Sequence, residues 1–259
     1  MLIENFKLMK SERLESNLFF LLTSPRSGST WLLDLLNSHP DIAALQEAFL
    51  KKNRLWDDPY LETFTQYCSN RKRAVRPWVT FDYLKNIQRY PTAHKIIGCK
   101  MMYKHLIRHP EIIPKIFIEN HKIVHLVREN HLDVAISLAN RDKYKFAHTK
   151  EKKKLSAVYL DPKFVWNVIY SRERNHKIAN FILRKTRINQ ITVTYESLLS
   201  EHRDPTLNAV FKHLDIPIND IELKSELKKI NIGNYENKIE NFDEIRTSLA
   251  GTKFEKFLC

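Results

Sequence analysis

The amino-acid sequence predicts an α/β protein, a parallel β-sheet flanked by helices, in a single domain spanning residues 1–259. Three observations carry that expectation. The apolar run Leu18–Leu22 is followed by a short polar loop, Thr23–Ser29, and then by a helical stripe of Leu32, Leu35 and Leu36. Further buried strands are expected within His94–Met102, His121–Val127 and Ile188–Thr194. Helical periods lie between these runs, as the crossovers of a parallel sheet require.

The first strand–loop–helix unit also predicts an anion site. Backbone N–H groups of the loop and the first helical turn converge there, and the helix dipole adds about half a positive charge. The chain has only 4 glycines, and one of them, Gly28, falls in this loop, where it lets backbone approach a ligand closely. Arg26 adds a full charge and a forked donor. The loop is not a Walker A sequence, because G-x-x-x-x-G-K-[ST] is absent.

Along the chain, Ser38-His39-Pro40-Asp41 ends the first helix, and Ile42–Leu45 reads as a short strand leading to Glu47. Residues 51–92 interleave aromatic and basic side chains without a clean period. They predict a helical insertion, with helical pieces near Tyr60–Tyr67 and Phe81–Tyr90. Lys100 lies near the end of the next strand, with His105 beyond it as a structural residue, and Pro110–Asn120 reads as a helix. Arg128 leaves the following strand ahead of a helix with Leu132, Ala135 and Ile136 on its buried face and Ser137 about one turn in. The charge run Lys150–Lys154 predicts a loop. Asp161-Pro162 predicts the N-cap and first residue of a long helix through Val165, Val168, Ile169, Arg172, His176 and Ala179. Tyr195 follows the last strand, and Asp204–Leu214 reads as a helix.

Lys plus Arg number 43 against 30 Asp plus Glu, a formal net charge of +13, so a polyanionic partner is expected. A nucleotide, an acidic glycan, a membrane surface or nucleic acid would each satisfy it. Cys68, Cys99 and Cys259 are far apart and read as reduced thiols. No apolar run approaches the roughly 20 residues of a membrane span, and Met1–Asn17 lacks the apolar core of a signal peptide, so the expected compartment is the cytoplasm. No metal-ligand spacing such as H-E-x-x-H is visible.

The words S-P-R-S-G-S-T-W at residues 24–31 are far more specific than the strand–loop–helix pattern. They resemble the 5′-phosphosulfate loop of the sulfotransferases that use 3′-phosphoadenosine 5′-phosphosulfate (PAPS), most closely bacterial glycan- and lipid-type members. The resemblance implies a P-loop-like fold and PAPS as cofactor, with PAP as product. It implies that Arg26, Ser27, Gly28, Ser29 and Thr30 hold the 5′ side of the cofactor and that Trp31 lies on or near adenine. Trp31 fits equally well as a core aromatic. Arg128 and Ser137 match the residues that bind the 3′-phosphate, with one residue more between them than in cytosolic members. Tyr195 matches a Tyr near the adenine, and packing of that Tyr on the core is the competing reading. Lys100 matches the Lys of a Lys-x-His element whose His is Met102 here, so the resemblance points to Glu47 as general base and to Lys100 as a charge stabiliser. It also makes residues 51–92 an acceptor-side wall and brings the tail around Arg246 and Gly251 near the cofactor.

The reaction implied is transfer of a sulfonyl group to a hydroxyl of a sugar, lipid or small molecule. Two other readings stand beside it. An ATP-dependent kinase of P-loop type lacks its Lys-Ser/Thr element after Gly28. A basic nucleic-acid binder would account for the charge and the aromatic–basic segment, and would show strong salt dependence.

Overall fold

The computed structural model describes residues 17–49, 60–71, 75–144, 156–217, 223–225 and 234–258. The Lys150–Lys154 run, Trp56 and Cys259 lie outside the described residues, as do parts of the 51–92 insertion.

Among the described residues five strands form the sheet: β1 (Leu18–Thr23), β2 (Ile42–Leu45), β3 (Ile96–Met102), β4 (Lys122–Val127) and β5 (Gln190–Thr194). All pairings are parallel, in the order β2-β3-β1-β4-β5. Every residue of β1 is buried, which is why it reads as an unbroken apolar run. The helices are α1 (Ser29–Asn37), α2 (Phe64–Ser69), α3 (Trp78–Gln88), α4 (Tyr103–Arg108), α5 (Ile112–Ile118), α6 (His131–Tyr144), α7 (Pro162–Thr186), α8 (Arg203–Leu214) and α9 (Phe242–Leu249).

Strand periodicity divides the core between two layers. Phe19 and Leu21 point toward α1 and α8, packing with Leu32, Leu36, Val210 and Phe211. Leu18, Phe20 and Leu22 point the other way, toward Tyr83 and Leu84 of α3, Leu106 of α4, Ile112 of α5 and Leu183 of α7. A third cluster joins α6, the first half of α7, α9 and the tail through Ile136, Ile169, Leu249 and Phe257. Helix α7 begins as its sequence predicts, with Asp161 accepting from the Lys163 amide and Pro162 at the first turn. The insertion is helical in α2 and α3, and its aromatics Phe64, Tyr67 and Tyr83 are core residues.

Two histidines inside this frame are held neutral. His105 is fully buried, and its pKa is pushed down to about 3, chiefly by burial. His125 on β4 is fully buried on the α7 side of the sheet and is pushed down to about 4, again chiefly by burial. In the unfolded chain both take up protons below about pH 6.5, while the folded chain resists doing so. Stability should therefore fall as pH drops from about 6 to about 4, by about 1.4 kcal/mol per pH unit for each histidine. Urea unfolding at pH 7 and pH 5 measures this. A midpoint unchanged across that range would contradict it, and His125→Gln should remove one share of the slope.

Candidate active site

Because β1 is central and all strands run parallel, the loops leaving β1, β3, β4 and β5 meet at one end of the sheet. Thr23, the last residue of β1, donates its hydroxyl to the Leu126 carbonyl of β4 at 2.8 Å, fixing the spacing of the first loop from its neighbour. The loop then turns through two left-handed residues, Arg26 (φ 64°) and Gly28 (φ 81°), with Ser24 and Ser27 hydroxyls 2.9 Å apart. Backbone N–H groups in such a turn form a concave anion nest. Helix α1 starts directly from it, with no side chain capping its N-terminus.

The ring of Tyr195 closes over this turn. A Cβ built on Gly28 would lie 2.3 Å from Tyr195 Cδ2. The Trp31 ring meets Tyr195 edge-on at 6.3 Å, and the Arg128 guanidinium lies over the Tyr195 ring, 4.6 Å from its centroid. Arg128 also donates to the Arg26 carbonyl at 3.2 Å and pairs with Asp133 at 2.6 Å. Its buried Nε has no hydrogen-bond partner among the described residues. Arg26 in turn donates from Nε to the Ser137 hydroxyl at 2.8 Å. Burial, with Arg141 and Arg128 nearby, lowers the pKa of Arg26. Positive charge here is concentrated beyond what local carboxylates offset, which is the electrostatic signature of an anion site.

Lys100 and Glu47 sit on the opposite flank of β1. Lys100 is 4% exposed, and its Nζ donates to Gln46 Oε1 at 2.8 Å and Thr30 Oγ1 at 3.2 Å. Glu47 Oε1 is 3.5 Å from the same nitrogen. Burial lowers the Lys100 pKa, and Glu47 partly offsets it. The structure thus gathers Arg26, Ser27, Gly28, Ser29, Thr30, Trp31, Lys100, Glu47, Arg128, Ser137 and Tyr195 around one set of strand ends. Arg246 instead pairs with Asp243 at 2.6 Å on α9, and Gly251 has open space where a side chain would be.

Several residues of the site were not singled out from sequence. Glu196 accepts from the amides of Glu129 and Asn130, both at 3.1 Å, tying the β5 loop to the β4 loop. Asn130 caps α6 by accepting from the Asp133 amide at 3.1 Å and donates to the Tyr235 hydroxyl and the Phe257 carbonyl, which brings the tail to the site. An N-x-x-D spacing at a helix start was the legible signal for that cap. A cavity of about 490 Å³ opens beside these residues, lined by Asn130, Asp133, Tyr195, Glu196, Tyr235 and Leu258 among others. Arg172 and His176 occupy the buried stripe of α7 between Ile169 and Ala179. Their signal was polar character inside an otherwise apolar helical period.

The sulfotransferase domain family matches residues 17–258, nearly the whole chain. The protein belongs to the sulfotransferase family. The mouse sulfotransferase SULT7A1 complexed with PAP shares its fold at a TM-score of 0.50 and 15% identity, covering 97% of this chain and 90% of that one. A sulfotransferase from Alicyclobacillus acidocaldarius matches at a TM-score of 0.47 and 14% identity, over 95% of this chain and 96% of that one. The sulfotransferase domain from the curacin biosynthetic pathway matches at 0.48 and 17%, over 95% and 90%. A comparison with curated proteins gave no match. Sulfotransferases use PAPS, and this chain is a PAPS-dependent transferase acting on a hydroxyl acceptor. Family membership decides among the three readings of the sequence. No helix among the described residues is long and apolar enough to cross a membrane. A nucleotide with an anionic group at each end fits the residues present: an uncapped helix N-terminus, a left-handed nest and a buried guanidinium nitrogen without a partner among the described residues are all at one place.

The turn at Gly28 gives a direct test of the local packing. Gly28→Ala suffers both a left-handed backbone and the Tyr195 ring, whereas Gly251→Ala suffers only a left-handed backbone (φ 69°). Gly28→Ala should cost about 1–3 kcal/mol more than Gly251→Ala, the overpacking share of the penalty. Equal unfolding midpoints for the two variants would show that Tyr195 moves aside freely.

Proposed function

We propose that the chain's two anion sites grip one PAPS molecule from both ends and that Glu47 activates the acceptor hydroxyl. The observation that carries this reading is the contact of the Arg128 guanidinium with the Arg26 carbonyl at 3.2 Å, joined to the Arg26–Ser137 bond of 2.8 Å. The two sites are thereby parts of a single basin. In this reading Ser27, Gly28, Ser29 and Thr30 receive the 5′-phosphosulfate on backbone and hydroxyl donors, with Arg26 beside them. Arg128 and Ser137 receive the 3′-phosphate, while Tyr195 and Trp31 bear on the adenosine.

PAPS, when bound, supplies the sulfonyl group and is left as PAP. The chain's own groups do the rest. Glu47 accepts a hydrogen bond from the acceptor hydroxyl and takes its proton as the oxygen attacks sulfur. Lys100, positioned by Gln46 and Thr30, holds positive charge where negative charge grows on the oxygens of the transferring and leaving groups. Its burial gives that charge a low-dielectric setting. The acceptor is a hydroxyl compound of sugar, lipid or small-molecule type, entering past the α2–α3 insertion. Free Cys68 and Cys99 suit a reducing, cytoplasmic setting.

Arg128→Ala should weaken PAP binding by roughly 2–4 kcal/mol while leaving the fold intact. Unchanged affinity by calorimetry would remove Arg128 from the cofactor site. Glu47→Gln should lower turnover by roughly 10²–10⁴-fold at unchanged PAP affinity. Full activity with any accepted hydroxyl compound would assign the proton to another group.

A further inference from the structure

Helix α7 turns one side to the core and the other to water. Tyr170, Arg174, Ile178, Phe181 and Lys185 follow one another at spacings of three and four residues, so they lie along a single face, with Lys177 and Arg184 beside them. All of these are exposed, whereas Val168, Ala179 and Leu183 on the opposite side are buried. The reaction derived above uses none of the outward residues.

Two features of this face stand together. The first is apolar surface left in water: Tyr170 is 59% exposed, Phe181 62% and Ile178 41%. Tyr170 stacks on Trp166 at 5.3 Å and meets Phe254 edge-on at 6.0 Å, which anchors that end of the strip. The second is unbalanced charge. From Arg174 to Arg187 the chain holds five Lys and Arg residues and no carboxylate. Among the described residues no carboxylate pairs with Arg174, Lys177, Arg184 or Lys185. Glu173 is the one acidic residue of the helix, and it is taken by His131 at 3.3 Å and Lys253 at 3.2 Å. The Lys185 ammonium lies over the Phe181 ring, 5.9 Å from its centroid, so cation and apolar body share one spot. Scattered apolar residues are ordinary on a surface; a strip of them set among unpaired cations asks for a partner that is anionic outside and apolar within.

We propose that the outer face of α7 is a docking surface for an anionic membrane. Tyr170, Ile178 and Phe181 enter the boundary between headgroups and acyl chains, and Arg174, Lys177, Arg184 and Lys185 reach back to the lipid phosphates and carboxylates. Nucleic acid also answers cations, and its bases stack on aromatic rings. Here, however, the two rings stand about 16 Å apart along the helix, too far for neighbouring bases, and aliphatic Ile178 lies between them. A polar chain would leave all three apolar groups in water, whereas a bilayer surface covers them and meets the cations at once. The shape agrees: the face is a convex cylinder, and the 490 Å³ cavity has no lining residue on α7, so a broad surface fits better than an inserted peptide.

The test is sedimentation of the full chain with vesicles of phosphatidylcholine, alone or with roughly one third phosphatidylserine. Wild type should bind the anionic vesicles at least ~10-fold more tightly than the neutral ones. The triple variant Lys177→Glu, Arg184→Glu, Lys185→Glu should lose at least ~10-fold, and the double variant Ile178→Ser, Phe181→Ser about 10-fold. A control with the same change of net charge, Lys85→Glu and Arg89→Glu beside α3 with Lys212→Glu on α8, should lose less than ~3-fold. All the substituted side chains are exposed, and urea midpoints show that the variants remain folded. Equal loss in the control makes the effect one of overall charge and overturns the proposal. So does vesicle binding that survives either α7 variant, or that is absent from wild type. A short single-stranded oligonucleotide bound by wild type and released by the charge reversal, without any vesicle binding, assigns the face to nucleic acid and overturns it as well.

Discussion

The Arg128 guanidinium is the tie on which this site depends. It reaches from the end of β4 to the backbone of the turn after β1, pairs with Asp133 at the start of α6, and covers the face of Tyr195. Three segments distant in sequence, around residues 26, 128–133 and 195, are thereby brought together. Asp133 matters as much as the arginine, since a half-buried guanidinium without a carboxylate would be repelled by Arg26. The pair orients one fork of Arg128 toward protein and leaves the Nε unclaimed. Further hydrogen bonds reinforce the same juncture: Thr23 to Leu126, Glu196 to the amides after β4, and Asn130 to the tail.

Charge is distributed around the strand ends by layer. The turn, α1 and Lys100 face one side of the sheet, and the neutral pair Tyr103 and His125 faces the other. Glu47 is the carboxylate nearest Lys100, at 3.5 Å, on the segment leaving β2. A transferase that must accept negative charge from donor and leaving group alike needs this excess of positive groups. It also needs them immobile, so that stabilisation does not wait for side chains to rearrange. Burial of Lys100 and the hydroxyl and amide partners around it provide that rigidity.

Much of this was legible in the sequence, and the reasons are physical. β1 is buried on both faces, so five apolar residues in a row could mean little else, and the glycine after them marked a left-handed turn. Asp161-Pro162 announced α7 because capping chemistry is local. What stayed hidden depends on partners far along the chain. Tyr195 over Gly28 is a contact between residues 28 and 195, and no spacing in the sequence encodes it. Asp133 was not singled out in the sequence, although it is the carboxylate that pairs with Arg128. Arg172 fell within a helical period and passed as part of the stripe, because periodicity reports which face is covered and not what covers it. The aromatics of the insertion left nucleic-acid stacking open until Phe64, Tyr67 and Tyr83 were seen to fill the core.

The order of the strands has a consequence for how the enzyme can breathe. β1 is laddered on both edges, to β3 and to β4, and the turn of Arg26 and Gly28 hangs from its end. Among the described residues β2 is an edge strand of four residues laddered on one side, and the segment carrying Glu47 hangs from it. Local opening costs least at such an edge and most at the sheet's centre. In the proposed function, fraying there would withdraw the Glu47 segment and admit or release the acceptor, while the turn after β1 kept its shape. The two halves of the reaction centre thus rest on foundations of unequal firmness.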